Sequence, residues 1–484
     1  MSNQRPEELF VAHGGWLGWQ AADPAADGSA PTELAALMIT ATSNSGDPES
    51  FAYSTARERW PKILSSAIDE IASTISGHNG LSKEDVEAGR AIQAKLTSLK
   101  TSMLGNAVLE PIPRDGRPDT EAYNEEFKTF KDLKWLAAPW LYTECYMYRL
   151  IHTYFTLSTP FWHSFDLFAT SKRSSLIGSK KGTIELVKRF RAVLQTIAEK
   201  QAVDEETQKA IFEEMVQISL WGNATDLALL TSLSVEELNS RQGKAVRDSN
   251  KENIVVDDTE QVWSLLSRLR SLGSPRDMHI VLDNAGFELL TDLVLAGYLI
   301  ESGYAKKIVL HGKRMPWFVS DVNPEDLKYL IEGFANGTIY EDIKSPDKEE
   351  LQEAGKYWRG LIQSGKMEFR AELFWTTQHP FGRMPVVEPA LFEDLADADL
   401  VVYKGDLNYR KLTYDGMWPH STPFSEALGP LAKKHGGQGV RSLVLRTAKA
   451  DVCVGLKPGQ DANFEEGWTR HGKYAMVSYW DAKP

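Results

Sequence analysis

A carboxylate and an amide follow directly after an apolar run in the stretch MHIVLDNAGFELL, residues 278–290. Asp283 and Asn284 are followed by Gly286, which permits a close turn into the helical pattern that comes next. Such a pattern on its own is typical of a helix cap. Asp321, in the later segment VSDV, supplies a second carboxylate. Oxygen donors of this kind suit Mg²⁺ or Mn²⁺, whereas a structural zinc site requires Cys or His.

Cationic side chains follow two other apolar runs and indicate a preference for phosphate. Lys404, Asp406 and Arg410 lie in YKGDLNYRK, and Lys449 lies in LRTAK. Ammonium and guanidinium groups are the usual partners of a phosphate group. A divalent cation beside them would neutralise the charge of a transferring phosphoryl group, which is most of what catalysis of that reaction requires. The residue types therefore predict phosphoryl chemistry.

These side chains need a scaffold that brings distant segments to one edge. After about residue 255, short apolar runs alternate with helical segments, which predicts βαβ units and a mostly parallel sheet. Ligands bind outside the carboxyl ends of such strands. Lys313, which follows one of them, is interpreted as a surface residue at a strand end. The predicted strands are Met278–Asp283, Lys307–His311, Trp317–Val319, Phe369–Thr376, Asp399–Tyr403 and Ser442–Arg446.

Residues 1 to about 250 show helical periodicity without an internal repeat. Since a single core stops growing at roughly 250–300 residues, a chain of 484 residues is expected to form two domains or one domain with a large cap. We predict a helical domain over 1–250 that packs on the site. We predict a Rossmann-like α/β/α sandwich over 251–484. Asn223 and Asp226 in WGNATD are candidates for the wall of the pocket, and a helix N-cap explains them equally well.

The composition argues against several classes of protein. The net charge of -13 argues against nucleic acid as the main partner, because a phosphate backbone requires basic patches. The two cysteines, Cys145 and Cys453, are too few for a disulfide framework or a thiolate cluster. The first residues do not resemble a secretory signal, and no apolar stretch approaches the ~20 residues that span a bilayer. We expect a protein of the cytoplasm or nucleus that is a monomer or a weak homo-oligomer.

Motifs of several other enzyme classes are missing from the sequence. It contains no GxxxxGK[ST] loop, no GxGxxG between a strand and a helix, and no GxSxG elbow. His311 and His379 lie near predicted strand ends, and we interpret both as structural histidines. The polar strand ends therefore remain the main chemical signal.

Four motifs in this order, LDNAGFELLTDL, VSDV, KGDLNYRKL and RTAK, resemble those of the metal-dependent damage-control phosphatase family, long classed as a domain of unknown function. The Arg-Thr-x-Lys signature resembles that of subfamily III, which includes sugar phosphate phosphatases and the acidic residue methyltransferase 1 group. The segments RERWPKIL, TECYMYRLI and LWGNATDLALL resemble the helical half of the family. The resemblance covers roughly residues 10–480.

The resemblance implies roles for individual residues. Asp283, Asn284 and Asp321 match the family's metal ligands. Glu288 matches a position assigned to S-adenosylmethionine in the methyltransferase group. The expected substrate-binding residues, with Lys404 added as a cation of the same segment, are Asp283, Asn284, Glu288, Lys404, Asp406, Leu407, Asn408, Tyr409, Arg410 and Lys449.

The leading prediction is a phosphatase that depends on Mn²⁺ or Mg²⁺, with Co²⁺ or Ni²⁺ as other suitable cations, and that acts on small phosphorylated metabolites. The resemblance points to hexose phosphates such as fructose 1-phosphate and fructose 6-phosphate, including damaged ones. Catalytic roles are expected for Asp283, Asp406 and Lys449, and Arg410 would help Lys449 to balance charge. A phospho-aspartyl intermediate and direct attack by water both remain open.

Two other functions stay open at this point. The first is an S-adenosylmethionine-dependent protein-glutamate carboxyl methyltransferase, which the resemblance also raises. The sequence lacks the glycine-rich loop that such enzymes commonly place after their first strand. The second is a metal-stabilised binding module, which accounts for the ligands but gives Lys404, Arg410 and Lys449 no common purpose.

Overall fold

The computed structural model describes residues 42–130, 132–199, 204–222, 251–433 and 439–482, so Asn223 and Asp226 lie outside the described residues. The first part of the described chain is helical. Within the described residues, no helix is long and apolar enough to cross a bilayer. The helices of this part are α1 (Phe51–Ser54), a π-helical turn (Thr55–Arg59), α2 (Trp60–Gly77), α3 (Lys83–Leu104), α4 (Pro118–Phe127), α5 (Trp140–Thr156), α6 (Pro160–His163), α7 (Ala169–Gly178), α8 (Lys180–Ala198) and α9 (Glu205–Leu220).

The second part alternates strands and helices around one sheet. Its strands are β1 (Ile254–Asp257), β2 (Asp277–Val281), β3 (Lys307–His311), β4 (Met367–Arg370), β5 (Leu400–Lys404), β6 (Ser442–Thr447) and β7 (Ala475–Trp480). Its helices are α10 (Thr259–Ser271), α11 (Phe287–Glu301), α12 (Pro324–Asn336), α13 (Asp347–Gln363), α14 (Met384–Val387), α15 (Pro389–Asp397), α16 (Gly405–Leu412) and α17 (Phe424–Leu428). Short 3₁₀ turns lie at Leu373–Thr376, Phe381–Arg383, Gly429–Ala432, Gln460–Asn463 and Trp468–Arg470.

Across the described residues, the sheet has the strand order β1-β7-β6-β5-β2-β3-β4. Every neighbouring pair is parallel except β6 and β7. Strands β5 and β6 are buried along their whole length, as expected for parallel strands that are covered on both faces. One face packs against α9, α11 and α13, and the other against α15, α16 and α17. The predicted Rossmann-like α/β/α fold with a mostly parallel sheet is therefore confirmed.

Two of the predicted strands are wrong, wholly or in part. Trp317–Val319 is a turn, in which Phe318 and Val319 have φ values of +43° and +71°. The left-handed region is rare for a β-branched residue, so this turn is strained. The segment predicted over Phe369–Thr376 leaves the sheet after Arg370 and continues as a 3₁₀ turn. Strands β1 and β7 were not predicted, although the apolar run of β7 is visible in the sequence.

The helical part packs against the sheet through two different surfaces. Helices α8 and α9 join the main core together with α11 and α13. Helices α2, α3 and α5 form a separate aromatic core, which includes part of the loop 315–319. At its edge Arg149 is fully buried and pairs with Asp115 and Asp119. The helical part is thus built onto the sheet, while a domain boundary near residue 250 stays a prediction.

A buried histidine in the sheet gives the fold a pH-dependent stability. Nδ1 of His279 lies 2.8 Å from Nε2 of His311, whose Nδ1 lies 2.9 Å from a carboxylate oxygen of Glu372. Burial, followed by the neighbouring His311, lowers the pKa of His279 to about 3. Below about pH 6.5 this histidine binds a proton in the unfolded chain, whereas it stays neutral in the folded protein. The free energy of unfolding therefore falls as the pH falls from about 6.5 towards 3.

We predict the size of this effect for one substitution. When the pH is lowered from 7.5 to 5.5, the lowered pKa of His279 should decrease the free energy of unfolding by about 1.4 kcal/mol. The loss of unfolding free energy over this interval should therefore be smaller by that amount in His279→Gln, as measured by urea denaturation at both pH values. An equal loss in the variant and the wild type would contradict this explanation.

Candidate functional site

The carboxyl end of β2 and a loop after β3 form the centre of the candidate site. Asp283 and Asn284 follow β2, and Gly286, with φ of +72°, turns the chain into α11. The N–H of Val322 donates to the Asp283 carbonyl at 2.9 Å. Asn284 and Asp321 face each other in an isolated antiparallel bridge. Asp321 therefore reaches this edge by a returning loop and not as the end of a strand.

The amide of Asn284 links the acids of this edge. Its Nδ2 donates to Oδ2 of Asp283 at 2.7 Å and to Oε2 of Glu288 at 2.8 Å. Its Oδ1 accepts from the hydroxyl of Ser320. The amide oxygen thus faces Ser320 and the NH₂ group faces the carboxylates. Ligation of a cation shared with Asp283 requires the amide to turn over.

Four buried carboxylates and two ammonium groups form one connected set at this edge. Nζ of Lys313 lies 3.3 Å from Oδ2 of Asp321, and Nζ of Lys404 lies 2.9 Å from Oδ1 of Asp292. Lys313 is buried, so its interpretation as a surface residue is wrong. The acids of the set are Asp283, Glu288, Asp292 and Asp321. The set therefore carries two more carboxylates than ammonium groups, an excess that one divalent cation would balance.

Burial of these acids disfavours their ionised forms. Burial, followed by the charges of Glu288 and Asp321, raises the pKa of Asp283 well above its ordinary value. Burial raises the pKa of Asp321 to about 6, although Lys313 opposes that shift. Oδ2 of Asp321 is buried and faces Nζ of Lys313 at 3.3 Å. Carboxylate oxygens that lie beside other acids are chemically suited to a hard cation.

The first turn of α16 lies against Asp283. Gly405 has φ of +78°, and a Cβ at this position would lie 1.9 Å from Oδ2 of Asp283. The close approach therefore requires glycine. Lys404 precedes the helix without a side-chain hydrogen bond to its first N–H groups. These N–H groups and the positive end of the helix dipole can bind an anion next to the four acids Asp283, Glu288, Asp292 and Asp321, which are called the acidic edge below.

Asp406 fixes the loop that carries Lys449. Its Oδ1 accepts from Nε of Arg446 at 2.8 Å and from the backbone N–H of Lys449 at 3.0 Å. The guanidinium of Arg446 also lies 4.1 Å from the centre of the Tyr409 ring. The side chain of Lys449 is half-buried, and its charge opposes the raised pKa of Asp283. Lys449 and Asp283 are therefore within electrostatic reach of each other.

Four predicted substrate-binding side chains are turned into the protein, because the faces of α16 pack on different cores. Leu407 lies in the aromatic core of the helical part. Nδ2 of Asn408 donates to the Lys404 carbonyl at 2.7 Å. The hydroxyl of Tyr409 accepts from a backbone N–H at 2.9 Å. Arg410 is buried and ion-paired within the protein. The backbone groups of this segment are therefore the part that is left to contact a substrate.

Arg410 joins the two parts of the protein. Its guanidinium donates to Glu144 of α5 at 3.0 Å and to Asp415 at 3.0 and 3.1 Å. It also lies 3.6 Å from the centre of the Trp140 ring. The structure thus gives Arg410 an ion pair with the helical part in place of the expected phosphate contact.

Arg410→Met should destabilise the fold by about 3–5 kcal/mol, because it leaves two buried carboxylates without their partner. The comparison is Arg359→Met, which removes a partly exposed pair with Glu332 and should cost less than about 1 kcal/mol. Urea denaturation of both variants at neutral pH measures these values. Equal, small losses would show that the buried pair is not a stabilising link.

Several residues of the site were missed by sequence reasoning. Ser320 holds the Asn284 amide, and Arg446 holds Asp406. Asp292 lies four residues after Glu288 on the otherwise apolar helix α11, which places both on one face. A carboxylate on an otherwise apolar helix could have been recognised from the sequence as a candidate site residue. Arg446 belongs to the Arg-Thr-x-Lys signature, but its contact with Asp406, like that of Ser320 with Asn284, depends on the tertiary fold.

The candidate ligand set combines acids with an amide. Among the described residues, no group of three or more His, Cys, Asp or Glu side chains is arranged to hold a metal ion. A cation at this edge would therefore need the amide oxygen of Asn284 in addition to Asp283 and Asp321. The excess of carboxyl groups over ammonium groups in this set fits such an ion.

Comparison with known proteins adds independent information. Residues 55–464 match the model of the damage-control phosphatase ARMT1-like domain. The chain is 35% identical to damage-control phosphatase ARMT1 of Homo sapiens over 461 residues, which covers 91% of this chain and 99% of the relative. The protein of the same name from Danio rerio is 35% identical over 448 residues, with 89% and 94% covered. A crystal structure of a DUF89 family protein from Pyrococcus horikoshii has a TM-score of 0.36 and 16% identity, and the match covers 86% of this chain and 97% of that one.

Proposed function

This chain belongs to the damage-control phosphatase ARMT1-like family, and from this premise we propose that it hydrolyses small phosphate monoesters with the help of a divalent cation. The family makes the chain a damage-control phosphatase. The proposal adds the cation, Mn²⁺ or Mg²⁺, and its ligands, which are Asp283, Asn284 and Asp321. The observation that carries it is the excess of two buried carboxylates beside the uncapped first turn of α16.

In the proposed mechanism, a bound cation would polarise the phosphoryl group and neutralise part of its charge. The first N–H groups of α16 and the ammonium of Lys449 bind the other phosphoryl oxygens and stabilise the charge that develops on them. Asp406 orients Lys449 by accepting from its backbone N–H. Asp283, against the glycine turn, is placed beside the reacting group. Whether it acts only as a ligand or also as the nucleophile stays open.

We propose hexose phosphates, such as fructose 1-phosphate and fructose 6-phosphate, as substrates. The support is the Arg-Thr-x-Lys segment at Arg446 to Lys449, which resembles that of the subfamily with sugar phosphate phosphatases. The aromatic core of the helical part reaches the loop that presents Asp321 and also includes Leu407. The helical part is therefore positioned to close the site on the side away from the sheet.

The test is phosphate release from a panel of sugar phosphates by protein that has been dialysed against a chelator. Release should be absent without a cation and should return with Mn²⁺ or Mg²⁺, and Co²⁺ and Ni²⁺ show how selective the site is. An equal rate of phosphate release from the metal-free protein would contradict the requirement for a cation. No release from any phosphate monoester with any of the four cations would contradict the phosphatase.

The methyltransferase alternative is not favoured. The relatives in the comparison bear the name of a phosphatase. The carboxylate of Glu288, the residue expected to bind S-adenosylmethionine, accepts from Asn284 and lies 3.5 Å from Nζ of Lys404. These contacts give the Glu288 carboxylate a structural role within the protein.

A further inference from the structure

Lys404 lies behind the acidic edge, at the end of β5 and buried from solvent. Its Nζ lies 2.5 Å from the backbone carbonyl of Ser219, 2.9 Å from Oδ1 of Asp292 and 3.5 Å from Oε1 of Glu288. The ammonium donates to the Ser219 carbonyl and forms ion pairs with two buried carboxylates. A phosphate group would compete with these carboxylates for it.

The partners of Lys404 lead to the candidate metal ligands. Glu288 holds Lys404 with one carboxylate oxygen and the Asn284 amide with the other, at 2.8 Å. The same amide contacts Asp283 at 2.7 Å. A continuous path of contacts therefore runs from the ammonium of Lys404 to the carboxylate of Asp283.

The far end of this path is fixed by the helical part. The hydroxyl of Ser219, in α9, donates to Oδ1 of Asp292 at 2.7 Å. A Cβ at Gly222, just after α9, would lie 2.3 Å from Oγ1 of Thr291 in α11. The backbone just after α9 therefore packs directly against a side chain of α11 next to Asp292. Lys404 and Asp292 lie between this contact of α9 with α11 and the proposed ligands.

We infer that Lys404 and Asp292 are positioning residues, which set the affinity for the cation by holding Glu288 and Asn284, and that Lys404 does not bind the substrate phosphate. This inference rests on the proposed cation at Asp283. Residues that orient metal ligands typically change metal affinity by about 10–100-fold when they are removed. We expect a change of this size here.

The alternative explanation is a simple effect of charge, and it predicts different signs. If only the electrostatic field mattered, removal of the positive Lys404 would tighten cation binding and removal of the negative Asp292 would weaken it. A double substitution that removes both charges would leave the affinity nearly unchanged. If position matters, both single variants and the double variant bind the cation more weakly.

The decisive experiment is Mn²⁺ calorimetry on the metal-free double variant Lys404→Met/Asp292→Leu. This variant leaves no unpaired buried charge from the Lys404–Asp292 pair, so it is more apt to fold than either single variant. Its Kd for Mn²⁺ should be weaker than that of the wild type by about 10-fold or more, while KM for fructose 1-phosphate at saturating Mn²⁺ stays within about twofold. Ser219→Ala, which removes only the hydroxyl contact to Asp292, should weaken Mn²⁺ binding in the same direction by a smaller factor.

Different results identify different failures. An unchanged Kd for Mn²⁺ in the double variant would overturn the positioning role. A normal Kd with a strongly raised KM would also overturn it, because that result assigns Lys404 to the phosphate. Wild-type protein that does not bind Mn²⁺ at all would overturn the proposed cation site, and this inference with it.

Discussion

Asp283→Ala should abolish cation-dependent phosphate release, with a loss of at least about 10³-fold. Asp283 lies at the centre of the acidic edge, between the Asn284 amide and the backbone of Gly405. Its removal takes away the carboxylate that contacts both the proposed cation and the first turn of α16. The measurement is phosphate release from fructose 1-phosphate over a range of Mn²⁺ concentrations. Near-normal turnover by the folded variant would make the assignment of Asp283 wrong.

The same variant should keep or gain stability in the absence of metal. The pKa of Asp283 is raised by burial and by Glu288 and Asp321, so its ionised form near neutral pH opposes folding. The control is Asp399→Ala, at the opposite edge of the sheet, where the carboxylate accepts from the N–H of Arg276 at 2.7 Å. That variant should lose stability and keep its turnover. The pair of variants separates a loss of chemistry from a loss of fold.

Lys449→Met should lower turnover on fructose 1-phosphate by on the order of 10²-fold or more and should leave Mn²⁺ binding nearly unchanged. An ammonium group can stabilise charge on a phosphoryl oxygen but cannot ligate a cation. Among the described residues, the side chain of Lys449 has no ion pair, whereas Lys313 and Lys404 are both paired with acids. Its half-buried ammonium is therefore available to a phosphate.

Turnover and Mn²⁺ calorimetry on Lys449→Met test this role together. Unchanged turnover would show that Lys449 is only a residue near the end of β6. Lost Mn²⁺ binding, with turnover restored by excess metal, would show that it acts on the cation site. Arg446→Lys, which changes the residue that holds Asp406, should weaken turnover less, because the backbone contact of Lys449 to Asp406 remains.

The sequence was most informative where a strand and its polar end are adjacent in the chain. The apolar runs of β2, β3, β5 and β6 predicted a parallel sheet, and the carboxyl ends of such strands meet at one edge. Asp283 and Lys449 were placed correctly at that edge for this reason. Asp321 was expected there for the wrong reason, because its segment is a strained turn whose path depends on contacts with the chain after β2.

The direction of charged side chains was less predictable. Lys404 and Arg410 flank the first turn of α16, and their charges suggested phosphate contacts for both. The structure turns Arg410 to Glu144 and Lys404 to Asp292, which are far from them in sequence. A helix of this length presents each residue to a different neighbour, so the sequence around 404–410 alone could not show which cations are neutralised by the protein.

The strand order also has a consequence for biosynthesis. Within the part of the chain that the structure describes, β1 pairs only with β7, although residues 254–257 are translated long before residues 475–480. A nascent chain that has emerged only as far as β6 already carries the segments of Asp283, Asp321 and Asp406, while β1 has no strand to pair with. Domains generally fold as units as the chain leaves the ribosome. This sheet can therefore be completed only after β7 has left the ribosome.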